Sequence, residues 1–293
     1  MKPRVIRPAN HEEWLREREH GIGASEVGAI LGLSPFETPF SLWLKKTRQV
    51  EPEPENEAMI MGHLLEDAVA KRWEMATGEK VIKASASDII YVHPEYDFMR
   101  ATPDRIVRGR KKLLECKTTV SQVDPEDIYP HWIAQVQFQM YVTGIHDADL
   151  AYLVQGRYFG YVHIPYDPEF TEFLAEKVKE FWNENILGGK EPDLISVTDF
   201  AMKGSDPGTT IEADEEAISH IMSAVELNAE IATAETARDA HKDAVKLYMG
   251  EAEALTVNGK PIATWKSGTR GRTFLLKNRN IEELQKDKDN VSE

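Results

Sequence analysis

Apolar side chains recur along this chain with two different periods, and the change of period marks out its elements. Trp14 and Leu15 share the apolar side of a short helix over residues 10–20, which Gly21-Ile22-Gly23 breaks. Ser25 is placed to cap a second helix from Glu26 to Leu31, and Gly32 stops it. Thr38-Pro39 repeats the device, with a capping hydroxyl and a proline at the first helical position ahead of Phe40, Leu42, Trp43 and Leu44. Glu51 to Glu57 (EPEPENE) reads as an exposed acidic loop. An amphipathic helix follows from Ala58 to about Thr77, with Ile60, Leu64, Leu65, Ala68, Val69 and Trp73 on one face and Gly78 at its end.

Beyond Gly78 the period shortens. Val81-Ile82, Ile89 to Val92, Arg105 to Val107 and Leu113 to Thr119 read as strands of a meander, with Gly109-Arg110 turning between the last two. Trp132 to Val142 returns to a helical period and ends at Gly144. Asp149 to Gln155 and Tyr158 to Ile164 predict a hairpin around Gly156, and Phe170 to Leu187 a second amphipathic helix closed by Gly188-Gly189. Helices, a mostly antiparallel sheet, then helices again predict an α+β domain over residues 1–200. Residues 193–210 form a polar connector into a C-terminal unit, 211–293. There, Glu212 to Glu253 holds eleven acids, three bases and many alanines, which predicts one long helix or a helical hairpin. Asn258-Gly259 has the signature of a two-residue turn between Leu255-Val257 and Pro261-Trp265, and Arg272 to Lys277 adds a strand. The last residues (KDKDNVSE) are expected to fray, and no internal repeat is visible.

Composition narrows the class. The chain has 293 residues, 41% hydrophobic and 29% charged, enough for a folded domain with a sizeable core and an appendage. No uninterrupted apolar run is long enough to cross a bilayer, and the N-terminal MKPRVIRPANHEEW lacks an apolar stretch of signal-peptide length. Cys116 is the single cysteine, which excludes an internal disulfide framework and a multi-cysteine zinc centre and points to a reducing cytoplasm. A net charge of -15 excludes generic polyanion binding through a wholly basic surface. Yet Arg100 to Thr119 holds seven bases and two acids. Gathered in one cleft, such charge meets a phosphate backbone; spread out, it is a solvated basic hairpin.

The two acids in that stretch carry the chemistry. Thr102-Pro103-Asp104 precedes Glu115-Cys116-Lys117 by ten residues. Residues two apart on a strand share a face, so Glu115 and Lys117 project together, and Asp104 stands at the start of the preceding strand across the hairpin. Two carboxylates and an ammonium then meet at one point. Carboxylates supply hard oxygen ligands for Mg²⁺ or Mn²⁺, and an ammonium beside the ion can hold an attacking water or stabilise charge on a phosphate. The competing reading is cross-strand charge pairing on a solvated hairpin, which accounts for Lys117 with Glu115 but not for an acid directly after a proline.

These residues match the PD-(D/E)xK nuclease signature. The wider pattern resembles the YqaJ-type phage recombination nucleases, relatives of phage lambda exonuclease, from about Trp14 to Glu191. The matching stretches are Gly21 to Glu26 (GIGASE), Ile30 to Pro35 (ILGLSP), Met61 to Glu66 (MGHLLE), Arg100 to Asp104 (RATPD), Leu114 to Thr119 (LECKTT) and Ala134 to Gln137 (AQVQ). The resemblance implies a restriction-endonuclease-like core, a mixed central sheet flanked by helices. It implies a metal site of Glu66, Asp104, Glu115 and the backbone carbonyl of Cys116, holding two Mg²⁺ or Mn²⁺ ions, with Lys117 as the fourth catalytic residue. It further implies that Arg18, Ser25 and Gln135 bind a terminal 5′-phosphate. Ser25, opening a helix, suits either an anion or a plain cap; Glu66 by itself reads as an ordinary exposed helical acid.

The implied activity is a Mg²⁺-dependent exonuclease working 5′ to 3′ on linear double-stranded DNA in a phage- or prophage-encoded recombination system of a bacterial cytoplasm. A homotrimeric ring and a single-strand annealing partner of RecT or Beta type come with it. The rivals are a structure- or sequence-specific endonuclease of the same fold and a non-catalytic DNA-binding or assembly module recruiting a partner through the acidic C-terminal helix. His63, His131 and His163 lack metal spacing to one another and read as structural; Trp43, Trp73 and Trp182 read as core; Gln137 and Tyr141 lie near the Gln135 face.

Overall fold

Polar side chains at the helix starts set the boundaries of the fold. Asn10, Thr38, Asn56, Asp167, Ser196 and Asp214 each accept a hydrogen bond from a backbone N–H in the first helical turn, satisfying a donor that has no partner within the helix. The helices so capped are α1 (His11–Glu19), α3 (Pro39–Lys46), α4 (Glu57–Thr77), α6 (Pro168–Glu180), α7 (Val197–Lys203) and α8 (Glu215–Met249); α2 (Val27–Ile30) and α5 (Pro130–Thr143) start without a side-chain cap. Gly78 and Gly144 close α4 and α5 in the left-handed conformation, which glycine adopts without a Cβ clash. The computed structural model describes residues 2–50, 56–83, 89–205, 207–269, 271–277 and 280–281. Most of the acidic EPEPENE stretch and of the C-terminal KDKDNVSE falls outside the described residues.

The chain divides into two compact units, Met1–Pro207 and Gly208–Glu293. In the first unit, a five-stranded sheet runs in the order β3 (Val81–Lys83), β6 (Arg105–Val107), β7 (Leu113–Thr119), β8 (Asp147–Val154), β9 (Tyr158–Pro165). The β7–β8 pair is parallel, with α5 as the crossover, and the other pairs are antiparallel. A second sheet has the order β1 (Arg4–Ile6), β4 (Ile90–Val92), β5 (Met99–Ala101), β2 (Ile22–Gly23), in which β2–β5 is parallel. The architecture is α+β with mixed sheets.

Several expectations change here. The single meander does not form, because β4 leaves for the second sheet while β3 pairs directly with β6. Gly21-Ile22-Gly23 is a short strand as well as a break. Ser25 lies inside a 3₁₀ turn, Ala24–Glu26, whose cap is Gly23, so it does not cap a helix. The polar connector contains α7, organised by Asp199. This buried carboxylate accepts hydrogen bonds from Thr38 Oγ1 and the backbone N–H groups of Ile195 and Ser196. On α4 only the second half has a covered apolar face. Val69, Ala70 and Trp73 are buried, whereas Ile60 and Leu64 are exposed.

Two helices cover the two faces of β7, so its burial is nearly continuous. On one face Val69, Ala70 and Trp73 of α4 pack with Val107, Leu114, Cys116 and Ala151. On the other lies α5, itself enclosed: Trp132, Val136 and Met140 meet Leu113 and Leu150 of the sheet, while Ala134, Phe138 and Val142 meet α2, α3 and α6. The second unit holds α8, a single 35-residue helix, and an antiparallel sheet β10 (Ala254–Val257), β11 (Lys260–Gly268), β12 (Gly271–Leu276). Asn258 and Gly259 both have positive φ, as the predicted two-residue turn demands. Arg272 stacks on Trp265 and donates to the carbonyls of Gly250 and Ala252 beyond the end of α8.

Trp73 is fully buried, and its indole N–H donates to Asp149. Trp73→Ala should therefore destabilise the first unit by about 3–5 kcal/mol, read from the shift in the urea midpoint.

Candidate active site

The strand β7 alternates its side chains between the two covering helices, which sends Glu115 and Lys117 to the α5 side. Lys117 Nζ lies 2.7 Å from Glu115 Oε1 and donates to Gln135 Oε1 at 2.8 Å. Gln135 in turn donates to Glu115 Oε1, and Gln139, one turn later on α5, donates to Glu115 Oε2 at 2.8 Å. Glu115 is 2% exposed, and Lys117, Gln135 and Gln139 are the donors that face its carboxylate.

Asp104 stands just before β6. The register Arg105↔Leu114 brings it level with Glu115, and its Oδ2 accepts from the Cys116 N–H at 2.7 Å. Burial and the charges of Glu115 and Glu66 push the Asp104 carboxyl well above the usual range. Glu66 comes from α4. Burial raises its pKa, against the pull of His63 and Arg105. For Lys117, burial works against the charged form, but Glu115 and Asp104 outweigh it, so the ammonium holds its proton more tightly than usual. The Cys116 thiol is pushed well up by burial and by the neighbouring carboxylates, as suits a buried core sulfur.

These groups line one cavity of 570 Å³, to which Arg18, Ser25, Gln135 and Gln139 also contribute. Five bases (Arg18, Lys83, Arg100, Arg105, Lys117) and three acids (Glu66, Asp104, Glu115) lie on its walls, a local excess of positive charge in a chain of net charge -15. Also lining the cavity, Arg18 Nη2 donates to Ser25 Oγ at 3.4 Å and lies 3.5 Å from Glu26. Glu26 is held by Lys46 at 2.8 Å and by the Gly23 N–H, and the Arg18 guanidinium sits over the Trp14 ring.

All eight residues singled out from sequence, Arg18, Ser25, Glu66, Asp104, Glu115, Cys116, Lys117 and Gln135, line this cavity. The structure does not bring Gln137 or Tyr141 there. Gln137 bonds the backbone at Pro165 and Asp167, and Tyr141 stacks on His93. His63, read as structural, is exposed on the cavity wall beside Glu66. The basic stretch is neither a free surface nor wholly in the cleft. Arg100 pairs with Glu17, Arg105 with Glu66 and Asp67, Arg110 with Glu79, and Lys112 with Asp149. Sequence reasoning missed Gln139, Arg105 and Glu26. The available signal for Gln139 was its spacing of four from Gln135 on a helix.

The carboxylates of Glu66, Asp104 and Glu115 offer the oxygen donors that a hard divalent cation takes, and burial, with the neighbouring carboxylates, raises Asp104 and Glu66. A tighter cluster among the described residues is Asp147, Asp149 and His163, whose ligand atoms lie within 4.8 Å of one another. There Lys112 Nζ sits 2.8 Å from Asp149, filling the place of a cation.

Residues 13–146 match the family described as the YqaJ-like viral recombinase domain. A Bacillus subtilis protein described as uncharacterized protein YqaJ is 42% identical over 192 residues, 63% of this chain and 59% of that protein. The match thus spans less than two thirds of that relative. The alkaline exonuclease LHK-Exo of Laribacter hongkongensis has a similar fold, with TM-score 0.50 and 22% identity over 60% of this chain and 93% of that one.

Because Asp104 and Glu66 are raised in the metal-free fold, protons compete with a cation as pH falls. Titration calorimetry with Mn²⁺ should show affinity climbing as pH rises, with proton release at the acid end. The raised Asp104 pKa also means that its ionised form costs stability, a cost absent at low pH and present as pH rises. Asp104→Asn should therefore raise the metal-free melting temperature near neutral pH by roughly 2–4 °C.

Proposed function

We propose that the YqaJ-like domain is a metal-dependent deoxyribonuclease that hydrolyses phosphodiester bonds of double-stranded DNA, acting as an exonuclease in phage-type homologous recombination. The observation that carries this reading is the Lys117–Glu115 pair in one cavity with Asp104, Glu66 and the Arg18–Ser25 pair. Glu66, Asp104, Glu115 and the Cys116 carbonyl would hold Mg²⁺ or Mn²⁺, as one ion or two. Bound there, the cation supplies Lewis acidity at the scissile phosphate and makes a bound water more acidic.

The chain's own groups do the rest. Lys117 stays protonated, so it is not a general base; it orients the attacking water by its oxygen and faces the charge that grows on the phosphate. Gln135 joins Lys117 to Glu115 and keeps the ammonium at the site. Arg18 and Ser25 supply guanidinium and hydroxyl donors to a terminal 5′-phosphate, which would set 5′ to 3′ polarity. The sheet between α4 and α5 is then a restriction-endonuclease-like core, and residues 211–293 are accessory. A homotrimer and a RecT- or Beta-type annealing partner follow from the same kinship, as does a cytoplasmic site of action. No helix among the described residues is long and apolar enough to cross a membrane.

Linear duplex DNA with a labelled 5′ end should be degraded with Mg²⁺ and left intact with chelator, while closed circular DNA survives. Lys117→Ala should reduce the rate by at least about 10³-fold with an unchanged circular dichroism spectrum. Cleavage of the circle would mark an endonuclease; no nucleotide release from either substrate would mark a binding module.

A further inference from the structure

Gln139 has no part in the reading above, and its surroundings give it one. It is 1% exposed, yet it lines the cavity. An ionised carboxylate accepts and cannot donate, so the amide edge facing Glu115 Oε2 must be the NH₂ group. The Gln139 carbonyl oxygen then points elsewhere, and it is buried with no protein partner. Such an acceptor is costly unless a ligand or a bound water meets it.

The hydrogen bonds to Glu115 show what the amide does. A carboxylate has about four lone-pair sites, two on each oxygen. Lys117 and Gln135 both donate to Oε1 and fill it. Gln139 donates to Oε2 and fills one of its two sites. One acceptor position remains on Glu115, and the Gln139 contact decides where it points.

We propose that Gln139 is a positioning residue of the metal site. Its N–H fixes the Glu115 carboxylate so that the remaining lone pair of Oε2 is offered to the cation, and its buried carbonyl oxygen accepts a hydrogen bond from a water bound in the cavity. Lys117 and Gln135 fix one oxygen of Glu115, and Gln139 reserves the other. This rests on the metal-site reading of Glu115.

The test is Mn²⁺ binding to the metal-free full chain by calorimetry. Gln139→Met keeps the volume and removes the amide; Gln139→Asn keeps the amide and withdraws it by one methylene. Both should weaken Mn²⁺ binding about 10-fold. In the nuclease assay both should raise the metal concentration for half-maximal rate in parallel. A residue that only fills the core would lower the melting temperature and leave the metal constant where it was, which overturns the proposal. If Gln139→Met does not fold, Gln139→Asn decides by the same criterion. Glu115→Ala separates the two levels. Loss of Mn²⁺ binding in Glu115→Ala with unchanged binding in the Gln139 variants sinks this inference alone. Intact binding in Glu115→Ala sinks the metal-site reading beneath it.

Discussion

An ionised carboxylate on a strand covered from both sides has to be met by donors, because desolvation of an unpaired charge costs several kcal/mol. Glu115 is in that position, and much of the first unit is arranged around meeting its charge. The β6–β7 register brings Asp104 and the Cys116 N–H together, and α5 lays Gln135 and Gln139 one turn apart along the carboxylate. Lys117 comes from the same strand two residues on. The parallel β7–β8 pairing requires a crossover, and α5 is that crossover, so the topology that builds the sheet also delivers the amides.

The same cluster is over-supplied with negative charge. Asp104 and Glu66 are raised by burial and by their carboxylate neighbours, while Lys117 keeps its proton. Carboxyls held in this way cost stability when they ionise. The rest of the chain's charge is handled locally. Arg100, Arg105, Arg110 and Lys112 each find an acid from another element. A formal count over consecutive residues overstated the free positive charge, since the partners of those bases lie far away in sequence.

At the other wall, Lys46 is buried against Glu26 and the carbonyls of Arg18 and Gly21, and Glu26 holds the Arg18 guanidinium near Ser25. The arginine is thus set in place before any ligand arrives, which lowers the entropy cost of using it.

Much was legible in the chain alone, because it depended on neighbours in sequence. The capping residues of α3, the glycine ends of α4 and α5, the Asn258-Gly259 turn and the shared face of Glu115 and Lys117 are consequences of local geometry and period. Glu66 and Arg18 became candidates only through the resemblance, since nothing in their own surroundings in sequence distinguishes them from surface residues. The departure of β4 to a second sheet, the bare first half of α4 and the neutralised arginines could not be read in advance. Each depends on which distant element packs against which face, and hydrophobic period names the face without naming its partner.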